Sequence, residues 1–266
     1  MIKNFVVSDI HSFFTEWMKA LKDAGYKENN PNHRIIICGD LLDRGAQSRQ
    51  CLDFVKKLAE ENRVIYIRGN HEDLLYQAYK DIKMGAEFIG SHHVSNGTIK
   101  TIADLTGVGF YNIIGGFAGD DIDKLKDDLD FISAVTYDYF EVDNYIFVHG
   151  WIPSETEKMP PWYRHSRTYH YMPSWREASD EQWDQARWVN GMELAYVHDV
   201  VEPDKIIVCG HWHTSYAWSN VRNACTEFGD DAIFDTFIDE SKGIIALDAC
   251  TARTRKVNCL VIETSC

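Results

Sequence analysis

Short apolar runs alternate with amphipathic stretches through the first half of the chain. "NFVVSD", "RIIICGD" and "RVIYIRGN" have strand length, and each closes on Asp or Gly-Asn/Asp. "SFFTEWMKALKDAGY" puts Phe14, Trp17, Met18 and Leu21 on one helical face, with Ser12 as the expected N-cap. "SRQCLDFVKKLAEEN" does the same through Cys51, Leu52, Val55, Leu58 and Ala59. "HEDLLYQAYKDIKMG" predicts a third helix, with acids in its first turn and Gly85 as its stop. That βαβαβα order predicts a mainly parallel sheet with right-handed crossovers.

Residues 84–134 read as short helices and a loop around "SNGT". Beyond them, "AVTYDYFEV" and "NYIFVHG" predict two strands joined tightly near Asp143 and Asn144, and "KIIVCGH" predicts another. "AIFDTFID", "GIIALDA" and "KVNCLVIE", separated by turn-rich segments, read as antiparallel strands. The chain is expected to form a single domain, residues 1–266, with two sheets. Residues 151–190 stand apart, holding five of the eight tryptophans (151, 162, 175, 183, 188) and four of the six prolines. This segment predicts an ordered flap at the mouth of a site, or else a cover for the sheet ends.

Composition narrows the function classes. The formal charge of −14 argues against a general nucleic-acid binder, which needs a basic footprint. An anionic substrate still fits if bound metal ions reverse the local sign. The seven cysteines include no CxxC pair, and Cys38 and Cys209 sit inside apolar runs, so reduced thiols and a cytoplasmic location are expected. "MIKNFVVSD" has no long apolar leader segment, and no run has membrane-spanning length, so no membrane association is expected.

The candidate chemistry lies where the apolar runs stop. "FVVSDIH" ends in Asp9 and His11, "IIICGD" in Asp40, and "VIYIRGNHE" in Asn70 and His71. "YIFVHG" ends in His149 and "IIVCGHWH" in His211 and His213. Ligands of α/β sheets gather outside the carboxyl ends of strands, so these side chains are expected to converge although they are distant in sequence. A mixed O/N donor set without thiolate suits Mn, Fe or Zn better than a soft ion.

Motif for motif, the chain resembles the calcineurin-like metallophosphoesterases of the phosphoprotein phosphatase type. The resemblance is carried by "DIHS", "GDLLDRG", "GNHE", "HG" and "GHWH", from Asp9 to His213, with "SNGT" as a faint echo of bacterial members. Two departures stand out: Ser12 replaces the usual Gly, and His213 is an added histidine. The resemblance implies a four-layer α-β-β-α sandwich with two mixed β-sheets. It implies a first metal on Asp9, His11 and Asp40 with His213 as fourth ligand. Asp40 would bridge to a second metal on Asn70, His149 and His211. It further implies that His71 protonates the leaving group, that Asp43 orients His71, and that Arg44 and Arg187 clamp phosphate. Two metal ions about 3.5–4 Å apart hold both oxygens of an in-line displacement and supply hydroxide at neutral pH.

The implied activity is hydrolysis of phosphate monoesters, with a protein serine/threonine phosphatase as the first expectation and dinucleoside polyphosphate hydrolysis as the alternative. The expected partner is therefore a phosphoprotein or a nucleotide-type phosphate. A non-catalytic metal-stabilised scaffold is the competing class, and the presence of His71, Asp43 and Arg44 argues against it. The sequence leaves the oligomeric state open.

Overall fold

The computed structural model describes residues 1–85, 90–158, 167–224, 226, 228, 231–235 and 243–265. The chain opens with β1 (Ile2–Val7), α1 (Phe14–Asp23), β2 (His33–Cys38), α2 (Ser48–Glu60), β3 (Val64–Ile67) and α3 (Asn70–Lys83). Helices α4 (Ser91–Ser95), α5 (Thr98–Thr106), α6 (Phe110–Ile114) and α7 (Lys126–Val135) follow. The second half holds β4 (Thr136–Tyr137), β5 (Phe140–Val142), β6 (Tyr145–Phe147), β7 (Ser154–Lys158) and β8 (Arg167–Tyr171). After α8 (Asp180–Ala186) and α9 (Gly191–Val197) come β9 (Ile206–Cys209), β10 (Phe234–Asp235), β11 (Ile244–Ala246) and β12 (Leu260–Thr264).

Among the described residues the strands form two five-stranded sheets, β12-β1-β2-β3-β4 and β10-β11-β9-β6-β5, and a β7-β8 hairpin. In the first, β1 through β4 run parallel and only β12 is antiparallel. In the second, β6, β9 and β11 are parallel, with antiparallel β5 and β10 at the edges.

Side-chain alternation explains why the two sheets stack. Phe5, Val7, Ile35 and Ile37 face the helices of the first half, whereas Val6, Ile36 and Cys38 face the other way. Phe147, Ile206, Val208 and Ile245 meet them from the second sheet, forming a dry layer between sheets. The opposite face of that sheet, through Ile146, Ile207, Cys209 and Ile244, packs on Trp151, Trp175, Trp183 and Leu194. Strands buried on both faces read as continuous apolar runs, as these do. The result is the expected α-β-β-α sandwich with two mixed sheets.

Some local expectations need correction. "AVTYDYFEV" is not one strand: α7 runs to Val135, then β4 joins the first sheet and β5 the second. The Asp138–Tyr139 step thus carries the chain from one sheet to the other. β11 pairs parallel with β9 on one edge and antiparallel with β10 on the other. Ser12 does not cap α1; its hydroxyl is 2.9 Å from Ser48 Oγ instead. The second half of the predicted "AIFDTFID" strand, residues 236–239, lies outside the described residues, as do Trp162, Pro160, Pro161, Cys225 and Cys266.

Within residues 151–190, Trp151, Trp175 and Trp183 are buried in the second core, and Trp188 is half exposed. Beneath the hairpin, Glu202 accepts hydrogen bonds from Tyr171 Oη, Trp175 Nε1 (2.8 Å) and Arg176 Nη1 (2.9 Å). Replacing Glu202 with Ala orphans these donors, and hydrogen bonds to charged groups contribute about 1.5–3 kcal/mol each. We expect Glu202→Ala to lower the thermal midpoint by several degrees in a calorimetric scan. The five described cysteines 38, 51, 209, 250 and 259 carry free thiols. Among the described residues no helix is long and apolar enough to cross a membrane.

Candidate metal centre

Because β1, β2 and β3 run parallel, as do β6, β9 and β11, their carboxyl ends share one edge of the sandwich. The loops leaving them are tied to each other by main-chain bonds. Asp9 N donates to Gly39 O (3.2 Å), His11 N to Asp40 O (3.0 Å), and Gly210 N to His149 O (2.8 Å). Asp9, His11, Asp40, Asp43, Arg44 and His211 all adopt positive φ, a conformation that non-glycine residues seldom hold and that concentrates at functional sites. Two glycines permit the close approach. A Cβ at Gly69 would collide with Asp40 Oδ1, and one at Gly210 with the Ser8 hydroxyl and Asp9 Oδ2.

Asp40 is the hub. Its Oδ2 lies 3.7 Å from His11 Nε2 and 3.8 Å from His71 Nε2, while its Oδ1 lies 3.3 Å from His149 Nε2. Two donor groups result, His11–Asp40–His71 and Asp40–His149–His211, each with ligand atoms within 4.8 Å of one another. Asn70 joins the second through Oδ1, 2.9 Å from His149 Nε2. Asp9 flanks the first, its Oδ1 3.9 Å from His11 Nε2. Asp9 Oδ2 accepts from the Ser8 hydroxyl and from His211 N (2.9 Å).

The protonation pattern tests whether cations suit this cluster. Burial, with help from neighbouring positive charge, holds His11 and His149 well below the ordinary imidazole range, so both rings are neutral. Burial also brings His211 down to about 4. His11 Nδ1 donates to Leu42 O (3.0 Å) and His149 Nδ1 to Cys38 O (2.8 Å). Each single proton is thereby committed outward, leaving an Nε2 lone pair facing inward. Those lone pairs face oxygens of Asp40 and Asn70, and Asp9 Oδ1 is buried without a hydrogen-bond partner among the described residues. Burial and then the charge of Asp248 push the Asp9 carboxyl up; burial and then Asp9 do the same to Asp40. Converging lone pairs and crowded carboxylates fit a pair of divalent cations.

Around this cluster stand the other expected residues. His71 Nδ1 donates to Asp43 Oδ2 (2.8 Å), and Thr98 Oγ1 donates to the same oxygen (2.7 Å). Arg44 Nη2 lies 3.4 Å from His71 Nε2. His213 lines the same pocket of about 440 Å³, yet belongs to neither donor group, and its Nδ1 is 2.8 Å from Ser215 Oγ.

Arg187 departs from the expected phosphate clamp. It is buried, with Nε 2.7 Å from Asp73 and Nη1 2.8 Å from Asp138, while Nη2 meets Asp184. Each of these nitrogens is committed to a carboxylate, so the guanidinium braces α3 against the β4–β5 crossover and α8.

Two functional residues escaped the sequence reading. Glu72, within the quoted "GNHE", accepts from Asp40 N, Leu41 N, Gly69 N and Tyr66 Oη, fastening the Asp40 loop to the start of α3. Outer-shell partners of metal ligands typically contribute about 10–100-fold to metal affinity. Glu72→Ala should weaken metal binding by that order, as read by competition with a chelating dye. Asp248 follows β11 and lines the pocket, and burial raises its carboxyl to about 6. "ALDA" obeys the same rule as the other strand ends, an apolar run closing on a carboxylate, and that signal would have found it.

The family description "calcineurin-like phosphoesterase" matches residues 3–234, and the chain belongs to this family. The asymmetrical bis(5'-nucleosyl)-tetraphosphatase PrpE of Anoxybacillus flavithermus is 41% identical over 80 residues, 28% of this chain and 33% of that protein. The symmetrical bis(5'-nucleosyl)-tetraphosphatase of Actinobacillus pleuropneumoniae is 40% identical over 68 residues, 26% of this chain and 24% of that protein. These matches span about a third or less of the curated relatives' length. The crystal structure of a cold-active protein-tyrosine phosphatase from a psychrophilic Shewanella shares the fold. Its TM-score is 0.52 at 14% identity, over 99% of this chain and 76% of that one.

Proposed function

We propose that the chain is a metal-dependent phosphoric ester hydrolase working as one domain, with Asp9, His11, Asp40, Asn70, His149 and His211 holding two metal ions. His213 is the further candidate ligand. The observation that carries the proposal is the approach of the His11 and His149 Nε2 atoms to different oxygens of Asp40. When bound, Mn, Fe or Zn ions would polarise the phosphoryl oxygens and lower the pKa of water.

The chain's own residues supply the rest. Asp43 accepts the Nδ1 proton of His71 and fixes the ring, so Nε2 is the atom presented to the leaving oxygen. Arg44 stands beside Nε2 with a planar fork suited to phosphate oxygens. Substrate charge thus lands between a cationic centre and a guanidinium, in a pocket floored by buried polar groups.

Phosphoprotein serine/threonine hydrolysis uses this chemistry, and so does cleavage of dinucleoside polyphosphates. The second reading gains support from the names of the matched bacterial relatives and from an aromatic cleft beside the centre. Free thiols favour a cytoplasmic setting. The test is direct: the Mn-loaded protein is assayed on 4-nitrophenyl phosphate, a phosphoserine peptide and diadenosine tetraphosphate. Turnover of the aryl phosphate supports the enzymatic reading, the faster physiological-type substrate selects the class, and inactivity on all three contradicts it.

A further inference from the structure

A second cleft of about 350 Å³ adjoins the metal centre. Hairpin β7–β8 forms one wall, through Thr156 and Tyr169, and α8 another, through Gln185. Trp188 and Trp212 line both this cleft and the metal pocket, so the two cavities meet at a pair of indoles. Both indoles are substantially exposed, at 51% and 37%, and the Trp188 ring stands edge-on to His211 with centroids 6.0 Å apart.

Asn190 gives the cleft its chemistry. The residue is only 5% exposed and lines the cleft wall. Its Oδ1 caps α9, accepting from Met192 N (3.1 Å) and Glu193 N (3.2 Å). Its Nδ2 has no hydrogen-bond partner among the described residues. A buried donor left unmatched is costly, and a ligand offering an acceptor at that point removes the cost. The ionic lining is one of each sign, Arg167 and Glu193. That balance does not suit a second phosphate, which draws concentrated positive charge. It suits a flat, uncharged, hydrogen-bonding ring, and the indoles at the mouth are platforms on which such rings stack.

We infer that this cleft is a nucleobase subsite, which holds a base of a nucleotide substrate while a phosphate of the same molecule lies in the metal pocket. Asn190 Nδ2 donates to a ring nitrogen or carbonyl of the base, and Trp188 and Trp212 flank the ribose–phosphate link between the two cavities. This assignment rests on the phosphoesterase reading for its substrate, but the cleft can be probed without turnover.

The experiment is calorimetric titration of adenosine into the Mn-loaded protein, with Asn190→Asp and Thr156→Trp beside the wild type. Asn190→Asp keeps the oxygen that caps α9, replaces the Nδ2 donor with a second acceptor oxygen and adds a carboxylate charge. Thr156→Trp fills the cleft from an exposed position on β7. Saturable adenosine binding by the wild type, weakened at least tenfold in both variants, supports the subsite. Absence of saturable binding, or variants that bind as the wild type does, overturns it. So does displacement of adenosine by a phosphotyrosine peptide that itself binds more tightly, which would make the cleft an aromatic side-chain pocket. Assay of the same preparation on 4-nitrophenyl phosphate separates the two claims. Adenosine binding without aryl phosphate turnover removes the enzymatic reading and leaves the subsite standing. Turnover without adenosine binding removes only the subsite.

Discussion

His71→Asn is expected to lower kcat on phosphate esters by about 10²–10⁴-fold, the usual contribution of a positioned proton donor, while two metal ions per chain are retained. Asparagine keeps an amide near Asp43 but cannot deliver a proton to a leaving alkoxide. Leaving-group dependence sharpens the expectation. 4-Nitrophenolate departs without protonation, so the variant should lose far less on 4-nitrophenyl phosphate than on an alkyl ester. The structure also makes the alternative concrete, because His71 Nε2 shares a donor group with His11 and Asp40. Metal analysis of the purified variant decides: full occupancy identifies the proton donor, and loss of one ion identifies a ligand.

Asp40→Asn has the larger expected effect, removing activity to background together with most of the bound metal. Among the described residues Asp40 alone reaches both donor groups, one through each oxygen, and a carboxamide supplies neither the charge nor two equivalent oxygens. The fold should not suffer. Burial followed by repulsion from Asp9 raises this carboxyl in the folded state. A raised acid contributes stability when protonated, and that contribution is lost as pH rises through its folded pKa. Ionising this buried carboxyl therefore costs the metal-free protein stability. A neutral amide removes that cost while keeping the acceptor for His71 N (3.0 Å). Chelator-treated Asp40→Asn should consequently melt at or above the temperature of chelator-treated wild type at pH 7. A large drop would mean that Asp40 is a structural anchor first.

Much of this arrangement was legible because two simple regularities coincide. Strands buried on both faces appear as unbroken apolar runs, so "FVV", "IIIC", "YIFV" and "IIVC" announced themselves. The polar residue ending each run then marked the shared edge, which is where parallel strands deliver their side chains. Other features depend on contacts that no local pattern encodes. The division of "AVTYDYFEV" between two sheets is decided by partners: β3 captures Thr136 and Tyr137, and β6 captures Phe140 to Val142. Arg187 is expected as a phosphate clamp because the resembled family places an arginine between its last two metal histidines, here His149 and His211. Its carboxylate partners come from α3, the β4–β5 crossover and its own helix, and only folding assembles them. Asp248 was legible in principle but passed as an ordinary residue of a late strand.

The account depends on Asp40 serving two donor groups that would each hold a cation. The most direct measurement is anomalous diffraction at the manganese edge from crystals grown with Mn. The expected map has two strong peaks, one among Asp9, His11 and Asp40, the other among Asp40, Asn70, His149 and His211. A single peak, or peaks placed away from Asp40, would contradict the account.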